Sequence, residues 1–221
     1  HCLRGALGVA MITLFAYGLK RLSLAEAYSL FFIAPLLITA LSVFILKERV
    51  DLARWCAIAV GLGGVLVVLR PEGGEFLSLA GLAVLAAAAC YAVSAITGRI
   101  LSRSDASESM VFWLMIMMAA GGVALSWHEW VAIRREDWLL LAGLSVSGFL
   151  GQLAITEAFR SGKASSVAPF EYSALAWGMG LDWLLWRTLP DQYTMIGAAI
   201  IIASGIYLVR RALLDRITVK P

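Results

Sequence analysis

"AYGLKRLSLAEAYSLFFIAPLL", residues 16–37, and "EAFRSGKASSVAPFEYSALAWGM", residues 157–179, can be laid over each other. Each closes one apolar run, crosses a short charged connection and enters a second apolar run. At an offset of 142 residues Ala16 meets Ala158 and Ser23 meets Ser165. Further on, "RWCAIAVGLGGVLVVLR" (54–70) lies over "MIGAAIIIASGIYLVRR" (195–211) at a similar offset, with Gly63 meeting Gly205 at 142. The identities are few, so the repeat rests on helix lengths and glycine placement.

Working outward, composition fixes the solvent. The chain is 61% hydrophobic and 15% charged, and its mean hydropathy is +0.86. Those values lie outside the mixture of a soluble domain and imply a membrane chain. Runs with little or no charge recur at Gly5–Leu19, Ala27–Leu46, Trp55–Leu69, Phe76–Gly98, Ser109–Trp127, Trp138–Thr156, Ala164–Trp186 and Gln192–Val209. Most approach the ~20 residues an α-helix needs to cross the hydrocarbon core. Arg4, Lys20, Arg54 and Arg70 can extend the two short runs by snorkelling to the headgroups. The runs are continuous, not alternating, so a β-barrel is excluded. The expectation is an all-α, polytopic transmembrane helix bundle with eight helices present.

In the repeat, the first three helices correspond to the last three, a displacement of five. An odd displacement inverts the topology, a signature of secondary transporters. Helices four and five then expect counterparts before His1, which makes ten in the complete protein. The domain reading follows: 1–71 is the last three helices of a first five-helix unit, 76–213 a complete second unit, and 214–221 a tail. Alternating the connections across the membrane puts twelve of the eighteen Lys and Arg residues on one side. The positive-inside rule makes that side cytoplasmic, with both chain ends there.

Two acids interrupt the penultimate run. Glu171 and Asp182 stand eleven residues apart, within about 20° of one helix face and roughly 16 Å apart along it. A charge in lipid costs at least ~2.5 kcal/mol, so such residues face a bundle interior or a wet cavity. Glu171 either binds a cationic group or proton, or pairs with Lys163 or Arg160; Asp182 has Arg187 nearby. Other helices offer polar faces: Tyr28, Phe32, Pro35, Thr39 and Ser42 on the second, Tyr91, Ser94 and Gly98 on the fourth, and Ser145, Phe149, Gln152 and Thr156 on the sixth. Pro35 removes a backbone donor and predicts a bend near mid-membrane. The Gln152 amide is either an interhelical bond or a ligand contact. Gly143, Ser147 and Gly151 form a small-residue row that predicts helix contact, and "GLGG" at 61–64 reads as packing because it lacks the Lys and Ser/Thr of a phosphate loop.

"FILKERVD" (44–51), "GLGGVLVVLRP" (61–71), "APFEYSALAW" (168–177) and "LPDQYTMIGAAIIIASGIYLVRR" (189–211) resemble the EamA-type drug/metabolite transporters. The resemblance covers essentially the whole chain. It departs where members commonly carry Gly-Glu before Pro-Asp: here Arg187-Thr188 precede Leu189-Pro190-Asp191, so a role for that acid is not carried over. The resemblance implies secondary transport of a small organic metabolite, amino-acid-like or otherwise amphipathic, with export the family-level leaning. Uptake of S-adenosylmethionine-like substrates is the alternative, and a non-transporting membrane scaffold is the rival from another class.

Under the transport reading the substrate-binding residues are Tyr28, Phe32, Tyr91, Ser94, Phe149, Gln152, Glu171 and Tyr172, in a cavity poor in fixed positive charge. That lining favours zwitterions over phosphate esters. The expected partners are a small-molecule substrate and membrane lipid, a homodimer is left open, and nucleic acid is not expected. Cys2, Cys56 and Cys90 lack paired spacing, and His1 and His128 lie outside the spans, so neither a cofactor nor a metal is expected. Without an intramembrane histidine, an enzyme is not expected either.

Overall fold

The computed structural model describes residues 1–70, 78–127, 133–186 and 191–218. All the regular structure among them is helical: α1 Cys2–Leu19, α2 Leu24–Phe31, α3 Ala34–Ile45, α4 Leu52–Leu69, α5 Leu79–Leu101, α6 Ser107–Ser126, α7 Trp138–Ser161, α8 Ala164–Val167, α9 Ser173–Trp186 and α10 Gln192–Thr218. Short 3-10 turns precede α7 and α9. Among the described residues seven spans are long and apolar enough to cross a membrane, with α2 and α3 together forming one of them. The eighth expected span, Ala164–Trp186, is segmented into α8, a 3-10 turn at Ala168–Tyr172 and α9.

Local chemistry explains both interruptions. Ser23 caps α2 through a capping box: its hydroxyl accepts from the Glu26 backbone N–H at 3.2 Å while Glu26 takes the Ser23 N–H at 2.9 Å. The helix then stops at Phe32, because Pro35 cannot donate to the Phe31 carbonyl and instead opens the first turn of α3. Pro169 plays the same part in the 3-10 turn. Glu48, in the connection after α3, crosses to the second break and accepts from the backbone N–H groups of Ala164 and Ser165 at 2.9 and 3.1 Å. A carboxylate at the start of α8 satisfies donors that the short helix cannot.

Small residues set the helix spacing. A Cβ on Gly18 would stand 2.3 Å from Val84 Cγ2, and one on Gly5 would stand 2.4 Å from Met117 Cβ, so α1 lies close against α5 and α6. The antiparallel pair α4 and α10 crosses at two glycines. A Cβ on Gly64 would meet the Gly197 carbonyl oxygen at 2.9 Å, and one on Gly197 would meet the Gly64 oxygen at 2.6 Å. Their ends are clamped reciprocally: Arg70 at the end of α4 pairs with Asp191 before α10, and Arg211 of α10 pairs with Asp51 before α4. Such mutual contacts are what a twofold relation between the helices requires. The expected packing role of the GLGG segment holds. Gly61 seats the Tyr172 ring, whose Cδ2 would lie 2.9 Å from an added Cβ.

The row on α7 behaves differently from expectation. Added Cβ atoms on Gly143 and Gly151 would meet nothing within 4 Å, and the intervening Ser147 is exposed. Only the C-terminal part of α7, with Thr156 and Phe159, is buried. The row therefore makes no helix contact within the described chain.

Candidate functional site

The site is built where the broken span reaches α5. Interruption of the helix at Pro169 places Glu171 in the 3-10 turn, and the Tyr91 hydroxyl donates to Glu171 Oε1 at 2.8 Å. A phenol–carboxylate bond of this kind lets a carboxylate lie away from water with one charge-assisted partner. The local pairing alternative is not realised among the described residues: neither Lys163 nor Arg160 forms an ion pair with Glu171, and Arg160 stands 3.7 Å from Glu157. The Asp182 side chain and Arg187 lie outside the described residues.

Aromatic rings close one side of this pair. From Tyr91 the chain of ring contacts runs to Phe31 (5.7 Å between centroids), Phe15 (5.1 Å), Tyr28 (5.3 Å), Phe32 (6.1 Å) and Tyr172 (6.0 Å). Several are tilted or edge-on, the arrangements that the ring quadrupole favours. The two ends of this chain flank Glu171, one as its hydrogen-bond donor and the other as its neighbour. The rings belong to α1, α2 and the residue that follows it, α5 and the 3-10 turn, and the Phe15–Tyr28 contact lies toward the Leu19–Ser23 end of the bundle. Phe32 and Tyr172 are buried, while Tyr28 keeps an exposed edge.

On the opposite side of Tyr91 is a small cavity of about 30 Å³, lined by Arg4, Tyr91, Ser94, Gly98, Gln152 and Thr156 among others. That is room for one or two waters. The two polar faces expected on α5 and α7 thus converge, through Tyr91, Ser94 and Gln152. Phe149 does not join them: it is 43% exposed and is not part of the cavity wall. Helical periodicity placed it on the face of Gln152, but α7 leans away from the bundle toward its start, so only the deeper residues meet α5.

Arg4 corrects the sequence reading. Its residue is only 5% exposed, so the guanidinium does not snorkel to the surface. Nη2 donates to Thr156 Oγ1 at 3.3 Å, whereas Nε and Nη1 have no partner among the described residues. Gly98 makes room for it, since a Cβ there would lie 3.3 Å from Arg4 Cζ. The cavity is therefore not poor in positive charge. The sequence carries no signal of this burial: Gly8, one turn after Arg4, lies on the face that α1 presses against Leu114 and Met118, a contact visible only in the structure. The arrangement offers a fixed cation, an amide and hydroxyls around one cavity, and Tyr91 joins that wall to the Glu171 carboxylate it holds.

A model of the EamA-like transporter family matches residues 2–70 and 78–211. The chain is 32% identical over 206 residues to the riboflavin transporter of Vibrio cholerae, covering 92% of this chain and 69% of that one. It is 28% identical to the pseudopaline exporter CntI of Pseudomonas aeruginosa, covering 94% and 73% of the two chains. It is also 28% identical to the S-adenosylmethionine uptake transporter of Rickettsia prowazekii, covering 95% and 71%. A solved crystal structure with 21% sequence identity matches 92% of this chain and 84% of its own at a TM-score of 0.75, a likeness of fold.

Proposed function

The chain belongs to the EamA-like transporter family, and from that premise we propose that it moves a small amphipathic metabolite across the inner (plasma) membrane by alternating access. The observation that carries this reading is the Tyr91–Glu171 hydrogen bond. It joins α5 to the interrupted penultimate span, beside a polar cavity on one side and an aromatic closure on the other. Discontinuous helices in corresponding parts of two inverted units are where secondary transporters bind substrate. The breaks at Phe32–Ile33 and Ala168–Tyr172 supply that pair and serve as hinges.

Glu171 receives a cationic group or a proton, with Tyr91 and Tyr172 as its aromatic walls and Phe32, Tyr28 and Phe31 as the closing layer. Ser94 and Gln152 orient the substrate from the cavity side. In the two-unit reading, residues 1–71 and 76–213 rock about this site, with the Arg4 side cytoplasmic by its excess of Lys and Arg. Export is the family leaning we adopt; relatives named for uptake make import the alternative. The protein acts without chemistry on its cargo.

The test is a panel of radiolabelled amino acids and related metabolites offered to proteoliposomes of the full-length gene product. Glu171→Gln keeps size and most hydrogen bonding, and is expected to lower flux at least about tenfold at matched membrane insertion. Equal flux in wild type and Glu171→Gln across pH removes Glu171 from the site. A protein that moves no member of the panel and whose cavity never opens to water favours the scaffold.

A further inference from the structure

An arginine buried in a membrane bundle ordinarily faces a carboxylate, because removing its charge from water costs several kcal/mol unless a partner compensates. Among the described residues Arg4 has no such partner. Its one hydrogen bond to them is to the neutral Thr156 hydroxyl, and Nε and Nη1 remain unpaired although the residue is only 5% exposed. The carboxylates around it are committed elsewhere. Glu171 is held by Tyr91, Glu157 by Ser107, Ser161 and Arg160, and Asp105 by His1. The unused donors belong to a side chain in the wall of the Ser94–Gln152 cavity, and Gly98 leaves the guanidinium the space to be there.

We propose that Arg4 is the anion-binding residue of the transport site and that the cargo carries a carboxylate. This rests on the transport reading above and specifies its substrate class. A planar guanidinium with several free donors matches a carboxylate, and a single arginine among neutral hydroxyls and an amide balances one negative charge. A doubly charged phosphate would leave an excess charge in that wall. Gly98, beside Arg4, and Tyr91, bound to Glu171, are seven residues apart on α5, roughly 10 Å along the helix. An elongated zwitterion, with its charged ends separated by several bonds, would span the two with its carboxylate toward Arg4 and its ammonium toward Glu171.

The experiment reads the charge without requiring a known cargo. In the full-length gene product, every native cysteine, Cys2, Cys56 and Cys90 among them, is replaced by serine and Ser94→Cys is introduced into the cavity wall. Rates of modification by a sulfonate-bearing and a trimethylammonium-bearing methanethiosulfonate are then compared. Arg4 is expected to favour the anionic reagent, and Arg4→Gln to reduce the anionic-to-cationic rate ratio at least about tenfold, while Arg4→Lys retains most of it. Phenylacetate protects the introduced thiol and phenylacetamide does not, with protection lost in Arg4→Gln; phenyl phosphate protects no better than phenylacetate.

An unchanged rate ratio, equal protection by the acid and the amide, or a thiol that is never modified overturns the proposal. If folding of Arg4→Gln fails, Thr156→Val, which keeps the charge and removes its one tether, must preserve the anion preference. Flux is measured separately. Acid-specific protection in a protein that transports nothing sinks the transport reading and leaves the anion site standing, whereas flux of a cargo without a carboxylate does the reverse.

Discussion

Glu171 and Arg4 were unequally legible because of where each sits in its helix. An acid inside an apolar run is costly unless it finds a partner or a wet cavity, so sequence alone singles out Glu171, together with the tyrosine beside it. An arginine three residues inside a helix reads as an interfacial charge, and only tertiary structure shows that α1 is drawn in deeply enough to bury it. Tyr91→Phe tests the residue-scale account directly. It removes the donor to Glu171 while leaving the contact with Phe31, so flux should fall several-fold, less than in Glu171→Gln, with the melting temperature lowered. Measured flux equal to wild type would mean the hydrogen bond is incidental to transport.

At the scale of elements, seven of the eight expected spans are found among the described residues as helical stretches long enough to cross, and the penultimate one is segmented where a continuous run was expected. Hydropathy sees only that residues 164–186 are apolar. It cannot see that Pro169 and the capping carboxylate of Glu48 favour short pieces over one helix. The same blindness explains α7, where small residues at helical spacing look like a packing row yet face open space. The Gly64–Gly197 crossing makes a sharper prediction. Gly64→Val drives side-chain atoms into the Gly197 carbonyl and Ile201, and should destabilise by about 1–3 kcal/mol, read as a lower melting temperature in detergent.

Charge reversal at the clamp should do far less. Arg70 and Asp191 are each about half exposed, with side-chain exposures of 47% and 49%, so breaking the pair should cost ~0–1 kcal/mol. A double-mutant cycle that returned several kcal/mol for Arg70 and Asp191 would contradict the view that glycine contact, not ion pairing, holds α4 to α10. Pro35→Ala belongs at this scale too. Restoring a donor to the Phe31 carbonyl should let α2 and α3 join, leaving stability equal or higher while flux drops, as measured by hydrogen exchange across Leu30–Leu36 and by transport.

For the whole molecule, the two layers of the site suggest the direction of its cycle. The structure is closed by rings at the Leu19–Ser23 end and leaves only a small cavity at the Arg4 end. Alternating access requires the ring layer to part while the Arg4 side closes. The orientation proposed from charge places residues 47–54 in the cytoplasm and 133–137 outside, which impermeant thiol labelling of single-cysteine variants in oriented vesicles would check. Opposite labelling would reverse the side to which each layer opens without altering the site.

The most direct test of alternation is to lock the closed layer. Phe15 and Tyr28 meet edge to face at 5.3 Å, so Phe15→Cys with Tyr28→Cys, in a background free of the native cysteines, can be joined by a short bifunctional thiosulfonate. Flux of the panel's best substrate is measured in proteoliposomes before cross-linking, after it, and after reduction. The account predicts that cross-linking abolishes flux, that reduction restores it, and that Ser94→Cys in the locked protein remains open to labelling from the Arg4 side. Cross-linked protein that transports at the uncross-linked rate would contradict it.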